Sequence, residues 1–316
     1  MQGVLKAKSG GNQFLLLISI TLASFFILGL AGTLALSSIT GISIDKMGDL
    51  AKMDFTKPET INLIRGMQVV QFVSLFLVPT FICAKLFSSN TRKYLGFKAP
   101  SHVGYFLVGI GVMLLSIPLI NLLGELNKNV QFPSAIEKWM KSSEAEAAKT
   151  IKALLSKQTF KDLILNIICI AGLAAVGEEL LFRGIVQRLL TKMFKSPWAG
   201  IIIAAILFSA LHMQFYGFLP RFVLGILLGL IFWYSGSLWP AIVAHFVYDA
   251  FFIIVLYFKP EMINDDASVK LPALAMGATI SLAFVTFLVV WMRKKSVTTY
   301  NEVYAEDNVP VKDHPF

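Results

Sequence analysis

The stretch GEELLFRG, residues 177–184, lies in the middle of a long apolar run. It sets Glu178, Glu179 and Arg183 among side chains that exclude water. A charge at the centre of a bilayer costs about 2.5–3.5 kcal/mol on insertion scales, so three of them close together demand compensation. Whether they find it depends on what else the chain brings to the same depth.

The surrounding sequence defines the solvent. The chain has 316 residues, of which 56% are hydrophobic and 15% charged, and its mean hydropathy is +0.70. Several segments exceed the eighteen or so nearly uncharged residues that cross a bilayer core. These runs are continuous and not alternating, which excludes a β-barrel. The fold class is therefore all-α, a polytopic transmembrane helical bundle. Eight spans are expected, at about 14–37, 62–86, 103–124, 162–192, 198–216, 221–235, 239–258 and 272–292, with boundaries loose by a few residues. They form one membrane domain, 1–292, with a core over about 160–258. The polar tail 293–316 is expected to be disordered. The first apolar run is too long for a signal-peptide core and reads as a retained span.

The net charge of +9 is distributed beside the apolar segments, as the positive-inside rule expects. No basic stripe with interleaved aromatics is present, so nucleic acid is not an expected partner. Lys6, Lys8, Lys85, Arg92, Lys93, Lys98, Arg188, Lys192, Lys195, Arg293, Lys294 and Lys295 flank alternate connections, whereas the remaining connections mix bases with acids. With eight spans, both termini fall in the cytoplasm; the lysines of loop 125–161 run against this. Within that loop, Ile136, Trp139, Met140, Ala147, Ile151, Leu154 and Leu155 recur at helical spacing after a Ser134/Glu137 capping pattern. This is either a helix lying on the membrane surface or a loop helix packed on the spans. Cys83 and Cys169 both sit in apolar runs and read as small buried hydrophobes.

Glu179 and Arg183 are four residues apart and share a helix face, so they can pair. Glu178 lies about 100° from Glu179 and about 140° from Arg183 around the helix, and needs another partner. Of four histidines, His102 and His314 read as solvated, while His212 and His245 lie in apolar segments. Asp249 follows His245 by four residues, on one helix face, where it can orient the imidazole or share a water or ion with it. Glu178 and His212 each lie about 20 Å from the turn between their helices, at 1.5 Å per residue. The short span 221–235 and the SGSLWP turn after it lift His245 towards the same level. Two histidines and three acids at matching depth read as a functional site more readily than as helix–helix glue.

The motifs Glu178-Glu179-Leu-Leu-Phe-Arg183, Phe208-Ser-Ala-Leu-His212 and His245-Phe-Val-Tyr-Asp249 resemble the EExxxR, FxxxH and HxxxN/D pattern of the CAAX-protease and bacteriocin-processing family (CPBP, or Abi) of intramembrane endopeptidases. The resemblance covers about residues 160–255. It implies a CAAX-protease-like core that hydrolyses a peptide bond in a membrane-associated or lipidated, and in some members prenylated, protein. By that analogy Glu178 activates water, His212 helps hold it, and His245 with Asp249 stabilises the oxyanion; Glu179, Arg183 and Phe208 support the site. An ionised Asp249 accepts hydrogen bonds only, unlike the Asn of other members. His212, His245 and Asp249 could instead ligate zinc, as in a metalloprotease, although no HExxH motif is present. A zinc mechanism and a metal-free glutamate mechanism both stand. The lipid bilayer of a bacterial plasma membrane is the expected location. Two other readings compete: a non-catalytic immunity or scaffold protein of the same fold, and a transporter, which would call for internal repeats that are not found.

Overall fold

The computed structural model describes residues 2–48, 53–55, 57–155, 159–263 and 270–304. Among the described residues the chain is helical, without strands. The principal helices are α1 (Gly10–Thr40), α2 (Pro58–Phe87), α3 (Gly104–Lys128), α4 (Ser134–Leu155), α5 (Phe160–Phe194), α6 (Pro197–Leu211), α7 (Phe218–Ser235), α8 (Leu238–Phe258), α9 (Leu271–Lys295) and α10 (Tyr300–Tyr304). Local signals begin and end them. Ser9 and Ser196 accept from the amides of Asn12 and Ala199 at the starts of α1 and α6, while Pro58 and Pro197 occupy first turns. α1 ends at Gly41 and α7 at Gly236, both in left-handed geometry.

Seven of these helices are long and apolar enough to cross a membrane. The expected eighth, α6, is the exception: at 15 residues it reaches about 22 Å, short of a hydrocarbon core of about 30 Å. It stops at His212, and the chain turns through a short 3-10 segment, Phe215–Gly217, into α7. The span expected from 221 accordingly begins earlier, at Phe218.

α5 to α8 form the centre. α6 packs on α5 and α7, α8 packs on α5 and α7, and α2 and α3 flank this group, with α1 and α9 outside them. Large apolar side chains on α1 and α9, such as Phe26, Ile27, Met276 and Phe287, remain exposed, as lipid-facing residues do. One end of the bundle gathers the basic connections. There the Gly3 amide donates to the Lys85 carbonyl, Leu238 N to Gly96 O and Ser237 Oγ to Lys98 O.

The tail expectation is corrected for residues 296–304. α10 docks at this basic end, with Tyr300 and Tyr304 buried. The Tyr304 hydroxyl donates to the Arg188 carbonyl at 2.7 Å, and Arg188 donates back to Val303 O at 2.8 Å. Burial pushes the Tyr304 phenol up, keeping the proton that this bond uses. The two aromatic rings and the guanidinium offset the apparent polarity of the segment. Residues 305–316 lie outside the described residues.

At the opposite end, α4 takes the packed alternative along its last turns: Ala153, Leu154 and Leu155 are buried, while Ile136 and Trp139 stay exposed. A polar network ties it down. Asn166 donates to the Leu154 carbonyl at 2.7 Å and accepts from the buried Arg65, which also bonds Asp162 at 2.8 Å. Asn166→Ala leaves that carbonyl without its buried donor and Arg65 short of an acceptor, a cost of about 1–3 kcal/mol. The expected result is a lower melting temperature and faster tryptic cleavage at the α4 lysines; an unchanged digest would show that α4 is held by packing alone.

Candidate active site

GEELLFRG occupies the middle of α5; one π-helical turn, Ile167–Gly172, precedes it, and its last three residues begin a second, Phe182–Gln187. Such turns interrupt long helices chiefly where function requires it. Its glycines admit close neighbours: a Cβ on Gly177 would lie 2.9 Å from the Phe72 ring, and one on Gly184 3.1 Å from Leu95. α2 and the loop before α3 thereby press against the charged turn from two sides.

Glu179 is fully buried and Arg183 almost so. Their ion pair measures 2.6 Å, and the second guanidinium nitrogen donates to the Gly225 carbonyl of α7 at 2.9 Å. Arg183 also lies over the Phe208 ring at 5.0 Å, a cation–π contact strengthened by desolvation. Phe208 in turn meets the His212 ring edge-on at 4.9 Å. One guanidinium thus ties together α5, α6 and α7.

The same Glu179 Oε1 accepts from His245 Nδ1 at 2.9 Å. The sequence reading names only Asp249 as a partner for His245 and does not anticipate this contact from Glu179. Glu179 fixes the ring from α5, leaving Nε2 to face Asp249 Oδ2 at 3.4 Å and Glu178 Oε2 at 3.9 Å. His212 lies across the site, its Nε2 3.9 Å from Glu178 Oε1. His212 Nδ1 is 2.7 Å from the Phe208 carbonyl. A carbonyl only accepts, so Nδ1 carries the proton, and a neutral ring turns the lone pair of Nε2 towards Glu178. Glu178 therefore points away from Arg183, between two imidazoles.

These groups line a cavity of about 540 Å³. Four further polar side chains line it without a motif to announce them: Gln68 and Gln71 from α2, Gln214 ahead of α7, and Arg221 from the first turn of α7. Arg221 bonds the Gln214 side chain at 2.9 Å and also its carbonyl. An arginine inside the apolar run 218–235 is the signal that could have found it. Cys169 lines the same cavity, whereas Cys83 is fully buried elsewhere. His102 stays at its loop boundary, where it accepts from the Gly104 amide; His314 lies outside the described residues. Among the described residues no three His, Cys, Asp or Glu side chains are grouped to hold a metal ion. His212, His245 and Asp249 surround one space but do not form a ligand triad in this geometry.

Residues 160–251 match the family described as type II CAAX prenyl endopeptidase Rce1-like. A relative in Bacillus subtilis (strain 168), the uncharacterized protein YpbD, is 30% identical over 129 residues. That alignment covers 40% of this chain and 61% of the relative, less than two thirds of its length. No solved structure matches the chain. The bundle and its apolar helices define an integral, multi-pass membrane protein. The matched segment carries all three motifs.

Removing one partner of a buried ion pair costs about 3–5 kcal/mol, because the other charge is stranded. Arg183→Ala is expected to lower the yield and melting temperature of the detergent-solubilised protein by that order. Arg183→Lys should recover little, since an ammonium cannot reach Glu179 and Gly225 O with a planar fork. Full recovery by lysine would reduce Arg183 to a simple counter-charge.

Proposed function

We propose that the chain is an intramembrane endopeptidase that hydrolyses a peptide bond in a membrane-associated protein, with Glu178 activating the water. The observation that carries this is the placement of Glu178 between His212 and His245 at 3.9 Å on either side. A gap of that size is too long for a direct hydrogen bond, but a water bonded at about 2.8 Å to both groups bridges it at nearly a right angle.

The residues have distinct parts in the step. Glu178 accepts one proton of the water and the His212 Nε2 lone pair accepts the other, leaving the oxygen free to attack the scissile carbonyl carbon. As the C–O bond forms, Glu178 takes the proton. As the C–N bond breaks, Glu178 returns it to the departing amine. His245, held through Nδ1 by Glu179, opposes the developing oxyanion when Nε2 carries a proton. Asp249 cannot donate as a carboxylate, so its part is to orient His245 from the cavity side. The step as written uses these side chains and routes nothing through a zinc ion. A lipidated or prenylated chain end is one substrate consistent with the family; the apolar walls of the cavity, including Phe72, Phe76 and Leu228, suit an apolar segment.

The test is cleavage of a library of membrane-derived and prenylated peptides by purified protein, read by mass spectrometry. Glu178→Gln should reduce turnover by about 10²–10⁴, the contribution of a positioned general base, with the melting temperature nearly unchanged. Equal products from both proteins would remove Glu178 as the base. Dialysis against a chelator should leave cleavage intact; a loss reversed by zinc would transfer the chemistry to a metal.

A further inference from the structure

The cavity is closed at one end of the bundle and open at the other. Towards the basic end it is sealed by the apolar side chains of Leu95, Phe182, Ile185, Phe208, Leu238 and Ile242, all buried. The Arg183–Glu179 pair lies beside these side chains, with Arg183 bonded to Glu179 Oε1 and to the Gly225 carbonyl. Towards the other end, the His212 and Asp249 side chains keep about 30% of their surface exposed. There a second cavity of about 430 Å³ adjoins the first, and the two share His212 and Gln214 in their walls. Its outer wall is α4, through Ser143, Glu146, Lys149 and Thr150. This vestibule meets the larger cavity beside His212, whose Nε2 is 3.9 Å from Glu178 Oε1.

The two ends differ in charge. Counting the described residues of the connections with their adjoining helical turns, the plugged end has eleven basic residues and one acidic residue. At the open end eleven described basic residues are matched by nine acidic ones, several in pairs such as Lys141–Glu137 at 2.6 Å and Lys128–Glu125 at 2.9 Å. An unmatched basic end is retained on the cytoplasmic side and attracted by its anionic leaflet, at about 1 kcal/mol per Lys or Arg near the surface.

We propose that the site opens to the face of the membrane opposite the cytoplasm, and that its substrate is a polypeptide segment presented there. The candidates are the juxtamembrane or membrane-anchored ends of exported proteins. A prenylated C terminus displayed in the cytoplasm would meet the plug. This deepens the protease reading and rests on it for the identity of the substrate, while the direction of opening stands on geometry and charge alone.

The experiment separates the two. Ser143→Cys, in the vestibule wall, and Ser89→Cys, at the basic end, are made in the full chain and compared with the parent, whose own thiols are Cys83 and Cys169. A membrane-impermeant maleimide is added to right-side-out and inside-out vesicles of the same membrane. Ser143→Cys is expected to add labelling in right-side-out vesicles and Ser89→Cys only in inside-out ones. The reverse pattern, both sites reacting from one side, or no added labelling in either orientation overturns the proposal. In parallel, a water-soluble form of the cleaved peptide is added outside each vesicle type. At least tenfold more Glu178-dependent cleavage is expected in right-side-out vesicles, and an excess in inside-out vesicles overturns the proposal. Absence of Glu178-dependent cleavage in detergent as well would refute the protease reading, with the labelling result still deciding the direction of opening.

Discussion

The arrangement depends on one buried ion pair. Glu179 and Arg183 meet at 2.6 Å inside the bundle, where an unpaired charge of either sign is costly. The pair persists because it is over-determined. Arg183 also donates to the Gly225 carbonyl and lies over Phe208, and Glu179 also accepts from His245. Those contacts reach α6, α7 and α8, so the pair that makes two charges tolerable in α5 also fixes the elements that carry the other motifs.

That division of labour explains why two adjacent glutamates are present. Glu179 is fully buried, and its Oε1 is bonded to both Arg183 and His245. Glu178, one residue earlier, is turned by about 100° into the cavity. It faces two imidazole nitrogens and bonds directly to neither. The same helix thus provides a buried anchor and, next to it, a carboxylate that faces the cavity. The π-helical turns on either side let α5 carry both without losing its packing against α2 and α8.

Much of this was legible in the sequence, for physical reasons. Runs of apolar residues set the helices, and an acid four residues before an arginine sets the ion pair. Equal residue counts from a shared turn set Glu178 and His212 at one depth. Other features depended on long-range contacts that spacing does not encode. α6 looks like a span by composition, yet it ends at His212 after 15 residues. The partner bonded to His245 Nδ1 is Glu179, 66 positions away, while the neighbouring Asp249 faces only Nε2. The segment after α9 looks like a polar tail, but Tyr300 and Tyr304 anchor it against Arg188. Arg221 and the α2 glutamines enter the cavity because helices distant in sequence pack together.

The central claim is that Glu178 acts on water and does not itself attack the substrate. A single turnover in water enriched in oxygen-18, followed by mass spectrometry of both the product and the peptide containing Glu178, tests it directly. The account predicts one heavy oxygen in the new C-terminal carboxylate and none in Glu178. Heavy oxygen in the Glu178 side chain would mean that a covalent acyl intermediate had formed there, and the water-activating role would be wrong.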